Sequence, residues 1–123
     1  VNVPLTPETH HLFTLETLRQ MKPTACLINT ARGPIIKEDD LLEALRQGII
    51  WGAGLDVFEA EPEMTPGLAG YHERLVVAPH LGSATGETRE KMVETAVTNL
   101  LAGLAGKTPP NALNPEIVRK ADG

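Results

Sequence analysis

The 123-residue chain reads as an α/β domain on a doubly wound parallel sheet. Its short apolar runs are continuous rather than alternating, as in strands covered on both faces. Helical patterns separate those runs. The connections are short enough for right-handed strand–helix–strand units.

Residues 25–29, 53–58 and 75–78 supply the strands, and residues 1–3 read as the stub of a fourth. Thr14 is the expected N-cap of a short helix carrying Leu15, Leu18 and Met21, which Pro23 terminates. Residues 38–47 place Leu41, Leu42 and Leu45 on one helical face, with acids in the first turn and Gly48 at the C-terminal end. Residues 86–104 repeat Met92/Val93, Ala96/Val97, Leu100/Leu101 and Leu104 at helical spacing, with Thr85 or Ser83 as the cap. Residues 59–73, with Pro62, Pro66 and two glycines, read as a surface loop. Three prolines within residues 107–115 read as an extended tail. This gives one domain over residues 1–104 and a tail over 105–123.

Composition narrows the function classes. Net charge is −5, from 11 basic and 16 acidic residues, against the basic patch that nucleic-acid binding requires. No apolar run approaches the ~20 residues of a membrane span, and Val1-Asn2-Val3-Pro4 lacks the basic and apolar regions of a secretory signal. The single cysteine, Cys26, cannot form an intrachain disulfide and suits a reducing cytoplasm; in its apolar run it is expected to pack as a small hydrophobe. No metal-binding motif is present. His10, His11 and His72 lack ligand-like spacing and read as surface histidines, and Trp51 and Tyr71 are too isolated for base stacking.

Three polar clusters follow the strands: Asn29-Thr30-Ala31-Arg32-Gly33, then Asp56 and Glu61, then Pro79-His80-Leu81-Gly82-Ser83. In open α/β sheets ligands bind outside the carboxyl ends of the strands, so the topology gathers Arg32, Asp56, Glu61 and His80 at one edge. Taken singly, Arg32 reads as a surface or capping residue, His80 as a satisfied loop histidine and Glu61 as a loop acid. Asp56 is the odder one, since an acid near the end of a buried strand needs a partner. Taken together they form a chemistry. The arginine's forked donor suits a carboxylate, and a histidine beside a carboxylate can deliver a proton near neutral pH. That set suits a small 2-oxo acid. No side-chain nucleophile accompanies it, so the attacking species would be a hydride from a cofactor.

"INTARG", "GAGLDVFEAEP" and "APHLGSAT" resemble, in order, signature blocks of the NAD(P)-dependent D-2-hydroxyacid dehydrogenases, and "VPLTPETHHL" and "MKPTA" resemble the segment upstream. The resemblance covers residues 1–104 and implies the second half of a Rossmann-type NAD(P)-binding domain, with a long C-terminal helix and a tail that returns toward a substrate domain. It implies that Arg32 holds the substrate carboxylate and carbonyl, that His80 is the proton donor in reduction, and that Glu61 pairs with that histidine. It implies that Asp56 bonds the nicotinamide carboxamide, that Thr30, Ala31, Gly82 and Ser83 lie beside the nicotinamide, and that Pro4 and Thr9 lie near the adenosine end. NAD or NADP is the implied cofactor, a 2-oxo or 2-hydroxy acid the substrate, and a homodimer the assembly. "NLLAGLAGKTPPN" is similar to the glyoxylate/hydroxypyruvate reductase branch. Nothing in the 123 residues matches the glycine-rich turn that seats a pyrophosphate. Two other readings stay open here: an NAD(H)-sensing binding protein of the same fold, and an inactive truncated fragment.

Overall fold

The computed structural model describes residues 1–116. Val1–Gly82 form one compact unit, and a second begins at Ser83. In the first, Thr14 starts helix α1 (Leu15–Leu18) through a reciprocal cap, in which the Thr14 hydroxyl accepts from Thr17 N–H and the Thr17 hydroxyl accepts from Thr14 N–H. The helix stops sooner than expected, leaving Met21 beyond it. Strands β1 (Cys26–Asn29), β2 (Gly52–Leu55) and β3 (Leu75–Val77) pair in parallel in the order β1-β2-β3. The register aligns Leu27 with Ala53 and Ala53 with Leu75, which puts these three on one face of the sheet. Helix α2 (Glu38–Arg46) buries Leu41, Leu42, Ala44 and Leu45, and these join Leu18, Leu27, Ala53, Leu55, Leu68 and Leu75 in the core. Gly48, at φ +65°, closes the helix in the left-handed conformation that glycine adopts most readily.

Several expectations are corrected. Residues 1–3 form no strand, although Val1 packs against the core. β2 ends at Leu55; Asp56 still donates its N–H to the Asn29 carbonyl of β1, while its side chain binds a neighbouring loop. The strands are not covered on both faces. Ile28 and Val76, aligned across Gly54, are 51% and 73% exposed, and Cys26 on the same face is exposed rather than packed. Within the first unit, helices α1 and α2 pack on the face that carries Leu27, Ala53 and Leu75. The 59–73 segment is more than a surface loop. It sends Leu68 fully into the core, and the Tyr71 hydroxyl donates to the Leu45 carbonyl at 2.9 Å.

In the second unit, Thr85 caps helix α3 (Gly86–Leu104), accepting from Thr88 N–H at 3.2 Å. Its apolar positions Met92, Val93, Val97, Leu100, Leu101 and Leu104 are exposed. The following residues are not an open tail: Asn99 and Asn111 exchange two hydrogen bonds, at 3.0 and 3.1 Å, which fold the proline-rich segment back along the helix. Residues 117–123 of the expected tail lie outside the described residues. No helix among the described residues is long and apolar enough to cross a membrane.

Candidate active site

The site grows from the carboxyl ends of the strands. β1 ends at Asn29, whose side chain is fully buried. Its Oδ1 accepts from Ala31 N–H at 3.0 Å and its Nδ2 donates to the Arg32 carbonyl at 2.9 Å. Both halves of the amide are spent on shaping the turn that presents Arg32. Arg32 is extended, at φ −145° and ψ 139°, and its exposed guanidinium donates from Nη1 to the Ala31 carbonyl at 2.6 Å. Gly33 follows because the chain passes too close to the next segment for any side chain: a Cβ there would lie 1.8 Å from the Phe58 carbonyl oxygen. That contact sets the Arg32 turn directly against the segment carrying Glu61.

Glu61 lies beyond β2. Its Oε1 accepts from Phe58 N–H at 3.1 Å, and its Oε2 accepts from His80 Nδ1 at 2.8 Å. A carboxylate only accepts, so Nδ1 carries the proton of this pair. The other ring nitrogen, Nε2, has no partner among the described residues. The hydrogen bond from His80 holds the Glu61 carboxyl below its ordinary 4.5, helped by Phe58 N–H and more weakly by the charge of Arg32. A cleft of about 340 Å³, walled by Phe58, Pro62 and Pro79, opens beside the pair. His80 adopts φ +55°, a left-handed backbone that costs a non-glycine residue about 1–2 kcal/mol.

Asp56 does have the partners that a strand-end acid needs. Its Oδ1 accepts from Leu81 N–H at 2.7 Å and its Oδ2 from Gly82 N–H at 2.9 Å. Pro4, Thr30, Ala31 and Arg32 share a second open cleft of about 550 Å³ with Asn2, Val3 and Leu5. Thr9 does not line it; its hydroxyl donates to the Pro4 carbonyl at 2.7 Å. Gly82 is exposed, and a Cβ there would stand an ordinary 3.5 Å from Asp56 Oδ2, so crowding within the chain does not demand glycine at that position. Ser83 begins the second unit and is exposed.

The structure adds residues that sequence reasoning missed. Glu38, only 2% exposed, accepts from Glu59 N–H at 2.7 Å and from Thr65 N–H at 3.0 Å. Glu59 returns the contact, accepting from Glu38 N–H at 3.0 Å. His11 is not a free surface histidine: its Nε2 is hydrogen-bonded to Glu59. The set anchors the segment that presents Glu61. An acid in a first helical turn already has a reason to be there, so Glu38 gave no separate signal.

A three-stranded parallel sheet that collects an arginine and a histidine–glutamate pair beside two open clefts defines a ligand-binding α/β domain of the doubly wound class. Residues 1–82 match the D-isomer specific 2-hydroxyacid dehydrogenase NAD-binding domain, and the chain belongs to that family. It is 49% identical over 119 residues to the glyoxylate reductase of Thermofilum pendens, an alignment covering 97% of this chain and 35% of that protein. It is 47% identical to glyoxylate/hydroxypyruvate reductase B of Enterobacter agglomerans, covering 97% of this chain and 37% of that one. Among solved structures, a Thermus thermophilus protein superposes with a TM-score of 0.83 at 51% identity, over 91% of this chain and 36% of that one. The NADPH-dependent glyoxylate/hydroxypyruvate reductase of Sinorhizobium meliloti, solved with NADP and malonate, superposes with a TM-score of 0.77 at 39% identity, over 83% and 32% of the two chains. The chain spans about a third of the length of the curated relatives it matches.

Proposed function

We propose that the protein containing this chain reduces a small 2-oxo acid, glyoxylate or hydroxypyruvate, to the D-2-hydroxy acid with NADH or NADPH. The observation that carries this reading is the His80–Glu61 pair at 2.8 Å, with Nε2 left without a partner. Glu61 engages the Nδ1 proton, so Nε2 is the nitrogen free to give a proton to the substrate oxygen. Arg32 keeps donors beyond the one spent on Ala31, enough to grip a carboxylate with its fork. The bound nicotinamide cofactor supplies the hydride. The open cleft shared by Pro4, Thr30, Ala31 and Arg32 supports cofactor seating along the ends of the strands. In this reading Thr9 stands near the adenosine end, and Asp56, His80, Gly82 and Ser83 stand near the nicotinamide.

Residues 1–104 then form the C-terminal half of the NAD(P)-binding domain, and residues 105–123 return toward a substrate domain. The protein works as a cytoplasmic homodimer. The exposed apolar row on α3 supports the dimer, and the free cysteine suits a reducing compartment.

The test is steady-state oxidation of NADH and of NADPH by the full-length protein with glyoxylate and with hydroxypyruvate. His80→Ala lowers kcat by roughly 10²- to 10⁴-fold with little change in KM. Arg32→Ala raises the KM for the oxo acid and lowers kcat. Near-wild-type turnover in the His80 variant overturns the proton-donor role.

A further inference from the structure

We propose that Asp56 is a positioning residue for His80, clamping the two peptide N–H groups that follow the histidine and so holding its backbone in the left-handed conformation. The inference rests on the function proposed above, since its consequence is a rate, but the contact itself is structural.

The last link of the chain to the sheet is Ala78 N–H, donating to the Leu55 carbonyl at 2.8 Å. Beyond it, residues 79–82 run past the ladder, and His80 sits at φ +55°. A histidine stays in that conformation only where its surroundings enforce it. Glu61 binds the ring and by itself leaves the main chain free to turn. Asp56 binds the main chain: Oδ1 takes Leu81 N–H at 2.7 Å and Oδ2 takes Gly82 N–H at 2.9 Å. A left-handed residue turns the following amides to one side, the geometry in which consecutive N–H groups converge on an anion. Both contacts are charge-assisted and short. Asp56 is itself fixed, because its own N–H donates to the Asn29 carbonyl at 3.0 Å, and Asn29 is the residue that shapes the Arg32 turn. The carboxylate therefore ties the histidine loop to the strand end that carries the arginine. The role differs from a contact to the carboxamide, and both can coexist, since each oxygen retains a lone pair.

Asp56→Asn in the full-length protein separates the two. It keeps one acceptor and turns an NH₂ toward the second amide. Misplacing His80 lowers kcat by roughly tenfold to a hundredfold, whereas loss of a carboxamide contact alone raises the KM for NADH or NADPH with kcat unchanged. In the wild type the Leu81 and Gly82 amide protons are expected to resonate downfield and to exchange slowly; Asp56→Asn is expected to shift at least one and Asp56→Ala both. A raised cofactor KM with kcat unchanged, or amide signals insensitive to Asp56, overturns the proposal. If the wild type reduces no 2-oxo acid, the proposed function fails, and the amide signals still decide the clamp. If the variants do not fold, slow exchange at both wild-type amides supports the clamp, and fast exchange overturns it.

Discussion

Two histidines, His11 at φ +51° and His80 at φ +55°, are the non-glycine residues with left-handed backbones among the described residues. Each is bonded to a glutamate of one short segment, His11 to Glu59 and His80 to Glu61. Strained backbone that is held by specific side-chain partners is common at functional sites, and here it marks both flanks of the segment that carries the acid of the candidate pair. The pair has a pH signature. Glu61 is held below 4.5 by its hydrogen bond from His80, so its charged form is the one the fold favours. Its stabilising contribution is complete above the ordinary carboxylate range and is lost as pH falls through the lowered value. A ¹³C titration of the Glu61 carboxyl in the full-length protein is expected to give a midpoint under 4.5, and one at or above it would dissolve the pair as drawn. The His80–Glu61 contact joins two residues that the order of the polar clusters was expected to gather at one edge, whereas the His11–Glu59 contact spans 48 positions and left no mark in either neighbourhood.

The connections between elements do as much as the elements. The 3₁₀ turn Gly33–Ile35 and helix α2 follow β1, and the turn fits only because Gly33 lets the Phe58 carbonyl approach. Gly33→Ala places a Cβ 1.8 Å from that oxygen, and backbone on both sides leaves little room to relax. The substitution is expected to destabilise the full-length protein by about 2–4 kcal/mol, in the range of overpacked sites, and to cut turnover by displacing the segment 58–61. Urea unfolding and a kcat measurement check this, and a wild-type midpoint with wild-type turnover refutes it. Helix α2 was legible from its leucine stripe and its glycine stop, and α1 from its threonine cap. The function of Glu38 was not, because a buried acid accepting two backbone N–H groups from a distant segment looks, in sequence, like any acid in a first turn.

Across the whole chain the parallel sheet delivers Arg32, Asp56, Glu61 and His80 to one end, as the topology demands. The same sheet shows Ile28 and Val76 to solvent on its other face, and α3 shows an apolar row. Exposed apolar surface of this kind drives association. Residues 1–123 expressed alone are expected to elute from a sizing column as an oligomer or aggregate, and a clean monomer would contradict that. Apolar runs, caps, turn residues and the order of polar clusters are local properties written in residue type and spacing, and they were enough to specify an α/β sheet with a carboxyl-end site. Which apolar face is covered, which acid reaches which amide, and how the main chain of His80 is held are decided by groups far apart in the chain that meet only on folding. Those pairings follow from packing and hydrogen-bond satisfaction, and the tertiary structure alone determines them.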